Sequence, residues 1–387
     1  MLQSLLASVV WLVVQSIWPQ AVEITGGFHV DLHEALFHWM LGGLLFAGAM
    51  RVDLSHLRNQ RLAVFVLSVA GTLISTFVVA GITCALCKLT TLNVSFAECA
   101  VFGAVISPTD PVAVMGFLKN INAPRELDAL IGGESLFNDG VGVVLFTVLA
   151  KLGTAHPIRW IDVPDQFFLQ TLGGAGIGLL AGILVYQMLR RVDNYQVEVL
   201  LTLSLATGGY TLADALGVSG PIAAVVAGII IGNHGRNFAV SKKTRQHLDD
   251  FWELVDETLN AVLFLLVGLV VLQMKLRRWE PLMQMIAVVI VLLARWLSVW
   301  SCTTAVSFVR PPPKVLGRHM VAILTWGGLR GGLAVAMALS LPPGTERDRL
   351  VAVVFGVVVF SVLVQGSTLP KMFKIWIDSG PTEPRTQ

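Results

Sequence analysis

Long apolar runs that alternate with short polar loops form the main pattern of this sequence. The runs Leu62–Cys87 and Leu350–Pro370 contain no charged residue, and about 20 apolar residues in a helix are enough to cross the hydrocarbon core of a bilayer. The pattern predicts an all-α polytopic membrane protein with about twelve transmembrane helices. They are expected at residues 2–19, 33–50, 62–87, 97–119, 129–150, 165–190, 196–216, 219–235, 256–274, 281–309, 317–341 and 348–373.

Composition supports one membrane domain. The chain has 387 residues, 55% hydrophobic and 13% charged, whereas soluble proteins carry about 25% charged residues. We expect a single transmembrane domain over residues 1–373 and a short cytoplasmic tail at 374–387. The polar, partly amphipathic residues 236–253 predict a link at the membrane surface. A net charge of +2, spread over loops, argues against a nucleic-acid partner.

Lysine and arginine in the loops predict the orientation of the chain. Cytoplasmic loops of membrane proteins carry an excess of these residues. One set of alternate loops, together with the C-terminal tail, holds 17 of them, and the other set holds 8. The first set is expected to be cytoplasmic, which places both termini inside. The N-terminal run lacks the basic start and small-residue cleavage site of a signal peptide.

Two of the predicted helices carry helix-breaking residues in apolar sequence. The fourth contains Ser107–Pro111 with two prolines, and the eleventh contains Gly327–Gly332 with four glycines. Non-helical backbone at membrane depth is tolerated only where it is buried in protein or lines a cavity. Paired interruptions predict a transporter site between inverted repeats, here segments 3–5 and 10–12. A pair of ordinary kinks is the alternative.

Among the charged residues inside the predicted spans, the candidates for function are Asp110, Glu134, Asp139, Arg295 and Arg330. Each costs at least about 2.5–3.5 kcal/mol to place there, so each is expected to have a function or a partner. Asp139 is the candidate for ion binding, because withdrawal from water disfavours a charged carboxylate and lets a proton compete with a cation. The alternative places Glu134 and Asp139 in a cap at the start of a helix, at the membrane surface.

Further oxygen ligands lie close to Asp139 in sequence. Ser135 is one helical turn away on the same face, and small alkali cations prefer oxygen ligands. Thr109 offers a hydroxyl or a carbonyl at the first break, where Asp110 could equally be a turn residue. Arg330 is expected to neutralise an acid or exposed helix ends, with Glu134 as the preferred partner. Arg295 is expected to do similar structural work.

The motifs resemble those of the NhaP-type sodium/proton antiporters of the first monovalent cation:proton antiporter family, which are related to the animal sodium/proton exchangers. The resemblance covers nearly the whole chain. The matching stretches are Phe102–Val112, Gly133–Gly140, Ser219–Ile222, Phe264–Leu269, Gly327–Leu339 and the neighbourhood of Arg295.

The resemblance implies an architecture with two broken, crossing helices and elevator-like alternating access. It implies core helices at about 62–150 and 281–373, and dimerisation helices at about 1–50 and 165–274. The family usually has thirteen spans, so this chain is expected to lack the first. Where some members carry an acid, this chain has Ala47, and no cation ligand is expected from that segment.

The resemblance also implies roles for individual residues. Asp139 would be the carboxylate that binds the ion and exchanges the proton. The asparagine directly before it, Asn138, resembles the asparagine of family members that are electroneutral, exchanging one proton per cation. Ser135, Asn138, Thr109 and Asp110 would shape the site, and Glu134 would pair with Arg330.

Together these observations favour a secondary antiporter, not an enzyme, that exchanges Na⁺, and also Li⁺, for protons. A K⁺/H⁺ antiporter, a cation channel and a membrane enzyme are the alternatives. No repeated filter signature and no H-E-x-x-H or G-x-S-x-G motif is present in the sequence. No cofactor is expected beyond the transported ions. The expected partners are the lipid bilayer and a second copy of the chain, in the inner membrane of a bacterium.

Overall fold

The computed structural model describes residues 40–52, 54–90, 94–120, 125–153, 159–192, 194–235, 242–273, 280–309, 319–342 and 344–378. All regular secondary structure in these ranges is helical. The α-helices are α1 (Gly42–Arg51), α2 (Leu54–Phe65), α3 (Thr72–Leu89), α4 (Phe96–Ile106), α5 (Val112–Asn120), α6 (Arg125–Ala150), α7 (Val163–Leu189), α8 (Tyr195–Ala215), α9 (Gly220–Ile230), α10 (Lys242–Gln273), α11 (Glu280–Val309), α12 (Met320–Trp326), α13 (Gly332–Leu339), α14 (Thr345–Phe360) and α15 (Gly366–Asp378).

Short non-α turns lengthen several of these helices. Lys151–Gly153 and Trp160–Asp162 are 3₁₀-helical. The π-helical turns are Val66–Gly71 between α2 and α3, Ile231–Gly235 after α9, and Ser361–Gln365 between α14 and α15.

Five helical stretches in the described part of the chain are long and apolar enough to cross a membrane. They are Gln60–Leu89, Leu127–Ala150, Trp160–Leu189, Pro281–Phe308 and Glu346–Phe373. The all-α prediction is confirmed for the described residues, whereas the number of twelve spans stays a prediction. The first predicted helix, at residues 2–19, lies outside the described residues. The last helix continues to Asp378, past the expected start of the tail.

The residues of the predicted surface link, 236–253, are helical from Lys242 onwards, and their position at the membrane surface stays a prediction. Helix α10 begins at Lys242 and continues without interruption to Gln273. Its early charged residues lower the hydropathy, but neither glycine nor proline occurs between Lys242 and Val267 to break the helix. Leu248 and Trp252, one turn apart, are buried and form an apolar face.

The described residues divide into two compact units, and the first takes in the described parts of 1–51, 170–277 and 339–348. In this unit α9 packs closely on α1: a side chain at Gly228 would lie 2.7 Å from the carbonyl oxygen of Phe46. Trp252 contacts the ring of Phe46 at 4.7 Å between centroids. Its indole N–H donates to the hydroxyl of Thr202 at 3.1 Å. A buried aromatic cluster thus stabilises the unit.

The second unit takes in the described parts of 52–169, 278–338 and 349–387. Its core includes Leu67, Leu127, Leu130 and Phe373, all buried. Helices α3 and α4 are in close contact, since a side chain at Gly103 would lie 2.3 Å from the carbonyl oxygen of Thr76. The core and dimerisation roles that the resemblance implies for these parts of the chain stay a prediction.

Candidate functional site

Two helices of the second unit are broken where the sequence predicts it. Helix α4 ends at Ile106 and α5 begins at Val112, so the first break is residues 107–111. Pro108 and Pro111 lack the N–H groups that would continue the helix. Helix α12 ends at Trp326 and α13 begins at Gly332, with a glycine-rich break at residues 327–331.

The two breaks are in direct contact. The backbone N–H of Asp110 donates to the carbonyl oxygen of Leu329 at 2.8 Å. At Gly331, an added Cβ would lie only 2.1 Å from Oδ2 of Asp110. Glycine at this position therefore allows the backbones of the two broken helices to approach each other.

The side chain of Arg330 connects the second break to the first. Its Nη1 donates to the carbonyl oxygens of Ser107 and, at 2.8 Å, Pro108. Arg330 is only 2% exposed. A proline at 111 removes the helical donor to the Ser107 carbonyl, and the guanidinium replaces it while it neutralises the negative end of α4. This is the second role that the sequence suggests for Arg330, the neutralisation of exposed helix ends.

The predicted ion pair between Glu134 and Arg330 is wrong, because Glu134 binds Arg295. Nη1 of Arg295 lies 2.5 Å from Oε1 of Glu134, and the two side chains are 7% and 2% exposed. The remaining donors of Arg295 reach the carbonyl oxygen of Leu324, near the end of α12, at 3.3 and 3.1 Å. Arg330 is instead committed to the carbonyls of the first break, and Arg295 does the structural work expected of it.

Thr109 is held by α6 through three contacts. Its backbone N–H donates to Oδ1 of Asn138 at 3.3 Å, and its Oγ1 accepts from Nδ2 of Asn138 at 2.7 Å. Its Oγ1 also lies 3.2 Å from Oγ of Ser135. Since Oγ1 of Thr109 already accepts a hydrogen bond from the amide of Asn138, its own O–H is free to donate to Oγ of Ser135. The structure thus brings together three of the residues that the sequence proposes as site residues.

Asp139 and Asp110 complete the group. Helix α6 begins at Arg125, so Glu134 and Asp139 lie well inside it. Their alternative role as a cap at the start of a helix is therefore excluded. Asp139 lies within electrostatic range of both Asp110 and Arg330. Oδ1 of Asp110 accepts from the N–H of Val112, the first residue of α5, at 2.9 Å, so its turn role is also fulfilled.

Close packing holds α6 against the first break. A Cβ added at Gly142 would lie 2.2 Å from Cγ of Pro108. The rigid proline ring leaves no room for a side chain there. The hydroxyl of Ser107 donates to the carbonyl oxygen of Gly103 at 2.7 Å and lies 3.1 Å from the hydroxyl of Thr76.

A family model decides where this chain belongs. The model of the family described as "Sodium/hydrogen exchanger, transmembrane" matches residues 4–375. The chain belongs to the sodium/hydrogen exchanger family. The resemblance stated from the motifs is confirmed, and the chain is an integral membrane transporter rather than an enzyme.

Individual relatives agree with this membership. The chain is 45% identical to the Na⁺/H⁺ antiporter NhaP of Pseudomonas aeruginosa over 344 residues, which are 88% of this chain and 80% of that protein. It is 34% identical to the Na⁺/H⁺ antiporter NhaH of Halobacillus dabanensis over 86% of this chain and 80% of that one. The solved structure of the sodium proton antiporter MjNhaP1 from Methanocaldococcus jannaschii covers 98% of this chain and 97% of its own. With 18% identity and a TM-score of 0.73, that likeness shows the exchanger fold.

The sequence reasoning missed two residues of this exchanger that contact the second break. Ser361 accepts from the backbone N–H of Arg330 at 2.8 Å, and Gln365 donates to the carbonyl oxygen of Trp326 at 3.3 Å. Both are polar residues, four apart, in the uncharged run Leu350–Pro370. That spacing on one helical face was the signal that could have found them.

Proposed function

We propose that the chain is a secondary antiporter that exchanges Na⁺, and also Li⁺, for protons at Asp139. The observation that carries the proposal is the group of oxygen-bearing side chains at the crossing of the two broken helices. Asp139 lies there within electrostatic range of Asp110, on the same helix as Ser135, whose hydroxyl is in contact with Thr109. A carboxylate with nearby hydroxyls suits a hard monovalent cation.

The exchange step needs only one shared group. A cation binds the ionised carboxylate of Asp139, and a proton that arrives from the other side displaces it. The hydroxyls of Thr109 and Ser135 supply neutral oxygen ligands. Asn138 has both ends of its amide engaged with Thr109, so it orients that ligand. The cycle uses both protonation states, and a bell-shaped pH profile follows. It requires no cofactor beyond the transported ions.

The same site supports a proposal for the number of protons exchanged per cation and for alternating access as the transport route. The residue before Asp139 is the neutral Asn138, so the site has no second acid at that position to carry a further proton. This favours the exchange of one proton for one cation, which is an electroneutral cycle. Broken helices that meet at a site are the arrangement of transporters with alternating access. Asp110 tunes the site from the other helix, since its own carboxylate accepts from the N–H of Val112, the first residue of α5.

The proposal includes the orientation of the chain, the membrane that holds it and its oligomeric state. The excess of lysine and arginine, 17 against 8, favours a chain with both termini in the cytoplasm. The names of the bacterial relatives favour the inner membrane of a bacterium. We further propose that the working form is a homodimer, with residues 1–50 and 165–274 supplying the interface, as the motif resemblance implies.

The direct test is an exchange assay in vesicles that contain the purified protein and an acid interior. A dye that reports the pH gradient is followed as Na⁺, Li⁺ and K⁺ are added in turn. Collapse of the gradient by Na⁺ and Li⁺, unchanged when a membrane voltage is imposed, is the expected result. Collapse by K⁺ alone would identify the alternative antiporter. A cation current in the absence of a proton gradient would identify a channel instead. Vesicles without protein are the control.

A further inference from the structure

The turn between α14 and α15 places two polar side chains inside the second unit. Residues Ser361–Gln365 form a π-helical turn, in which the N–H of Gly366 donates to the carbonyl oxygen of Ser361. Ser361 is fully buried and Gln365 is 3% exposed. Buried polar groups are costly unless they are hydrogen-bonded, and π-helical turns inside α-helices occur frequently at functional sites.

Both side chains bind backbone groups at the glycine-rich break, residues 327–331: Ser361 binds a residue inside it, and Gln365 binds the residue just before it. The Oγ of Ser361 accepts from the backbone N–H of Arg330 at 2.8 Å and donates to Oε1 of Gln365 at 2.7 Å. Nε2 of Gln365 in turn donates to the carbonyl oxygen of Trp326 at 3.3 Å. The chain of bonds therefore ties the last residue of α12 to Arg330 inside the break, and it supplies partners for backbone groups that the helix cannot satisfy.

The break that this pair holds is the one that contacts the cation site. Leu329 accepts from the N–H of Asp110 at 2.8 Å, and Arg330 donates to the carbonyls of Ser107 and Pro108. A shift of the break by a fraction of an ångström would move these donors and acceptors together, because the hydrogen bonds are short and the contacts are buried.

We propose that Ser361 and Gln365 are positioning residues of the cation site, which they act on through the glycine-rich break. This assignment rests on the proposed antiport. They do not touch the cation. They hold Arg330 and Leu329 in register so that the first break presents Thr109 and Asp110 to α6.

A serine with a polar residue four positions later also contacts the other break. Ser135 and Asp139 are four residues apart on α6, and the hydroxyl of Ser135 contacts Thr109 in the first break. Ser361 and Gln365 have the same spacing in the corresponding segment of the second repeat, and Ser361 contacts the second break. Gln365 carries a neutral amide where Asp139 carries a carboxylate. The second pair cannot titrate, so its hydrogen bonds stay the same at every working pH.

The experiment compares Ser361→Ala with Ser361→Thr, and Ser367→Ala serves as the matched control. Ser367 lies in the same segment, and its hydroxyl bonds only the carbonyls of Leu363 and Val364 in its own helix. Initial rates of proton movement are measured in vesicles at several Na⁺ concentrations, and unfolding of each purified variant is followed by heating. We expect Ser361→Ala to raise the KM for Na⁺ roughly 5- to 10-fold, the size of one or two lost buried hydrogen bonds. The maximal rate should stay close to that of the parent, and the Tm should fall only modestly, because one or two buried hydrogen bonds are lost.

The threonine variant keeps the hydroxyl and should restore the parent KM. Gln365→Met is the second test, in case Ser361→Ala does not fold, and it should raise the KM in the same way. The double variant Ser361→Ala/Gln365→Met should be no worse than the more affected single variant, because the two side chains act as one chain of bonds. A parent KM in both single variants would overturn the proposal. So would a loss of maximal rate and Tm with unchanged KM, which indicates a role in folding alone. If the parent protein itself moves no protons, the proposed antiport fails instead.

Discussion

Replacing Glu134 by glutamine removes the charge from an ion pair that is closed off from water. The carboxylate of Glu134 lies 2.5 Å from Arg295, and the two side chains are 2% and 7% exposed. Removal of one partner leaves the guanidinium buried without its counter-ion. In the interior of a protein such a loss costs about 3–5 kcal/mol of the free energy of unfolding.

Glu134→Gln and Arg295→Leu are expected to lower the free energy of unfolding by different amounts. Arg295→Leu removes the ion pair and also the two donors to the carbonyl oxygen of Leu324. Each of those bonds contributes about 1 kcal/mol, so Arg295→Leu should destabilise the protein by about 1–2 kcal/mol more than Glu134→Gln. The double variant should cost less than the sum of the two, with an interaction free energy of up to about 3 kcal/mol.

The assay is unfolding of the purified variants in mixed detergent micelles, followed as the denaturing detergent is increased. The variants Glu134→Gln and Arg295→Leu form one double-mutant cycle. A second double-mutant cycle, with Glu134→Gln and Arg330→Leu, tests which arginine is the partner of Glu134. We expect the larger interaction free energy in the cycle with Arg295. The exposed ion pair of Arg159 with Asp162, at 3.0 Å, is the control, and its removal should have no measurable effect. An equal or larger interaction with Arg330 would refute the pairing that we describe.

Three further predictions concern the site and the orientation of the chain. Gly142→Ala should displace Pro108, which lies 2.2 Å from the added methyl group, and reduce exchange in vesicles, whereas Gly116→Ala, with open space around it, should not. Thr109→Val removes the hydroxyl that Asn138 and Ser135 contact, and should raise the KM for Na⁺ about tenfold while Thr109→Ser keeps it. A reporter fused to the N-terminus should give a cytoplasmic signal, and a clear extracytoplasmic signal would contradict the proposed topology.

Much of the helical pattern could be predicted from hydropathy, because apolar runs and their interruptions are local features. The span predicted at 129–150 is α6, which begins slightly earlier at Arg125. The prolines at 108 and 111 and the glycines around Arg330 locate both breaks. Hydropathy did not extend the helix predicted at 256–274 back over residues 242–253. A charged face lowers the hydropathy there, but it does not prevent a helix that buries Leu248 and Trp252 on its other side.

The partners of the charged residues could not be predicted from the sequence. Arg295 and Arg330 both lie inside apolar segments, and either charge suits Glu134. The choice depends on how α6, α11 and the second break pack. It also depends on the prolines, which leave carbonyls for Arg330 to bind. Ser361 was missed for a related reason: its spacing from Gln365 indicates a shared polar face, but it does not indicate the distant backbone N–H that Ser361 accepts from.

Exchange by Asp139→Asn tests the central claim most directly. The substitution is nearly isosteric but removes the carboxylate that a proton and a cation would share. The matched control is Asp165→Asn, which changes an exposed carboxylate at the start of α7. Both proteins are placed in vesicles at equal amounts, after heating curves show that they are folded, and dequenching of the pH-gradient dye is recorded on adding Na⁺ or Li⁺. We predict no dequenching for Asp139→Asn at any pH and the parent rate for Asp165→Asn. Exchange at the parent rate by well-folded Asp139→Asn would contradict the assignment of Asp139 as the shared carboxylate.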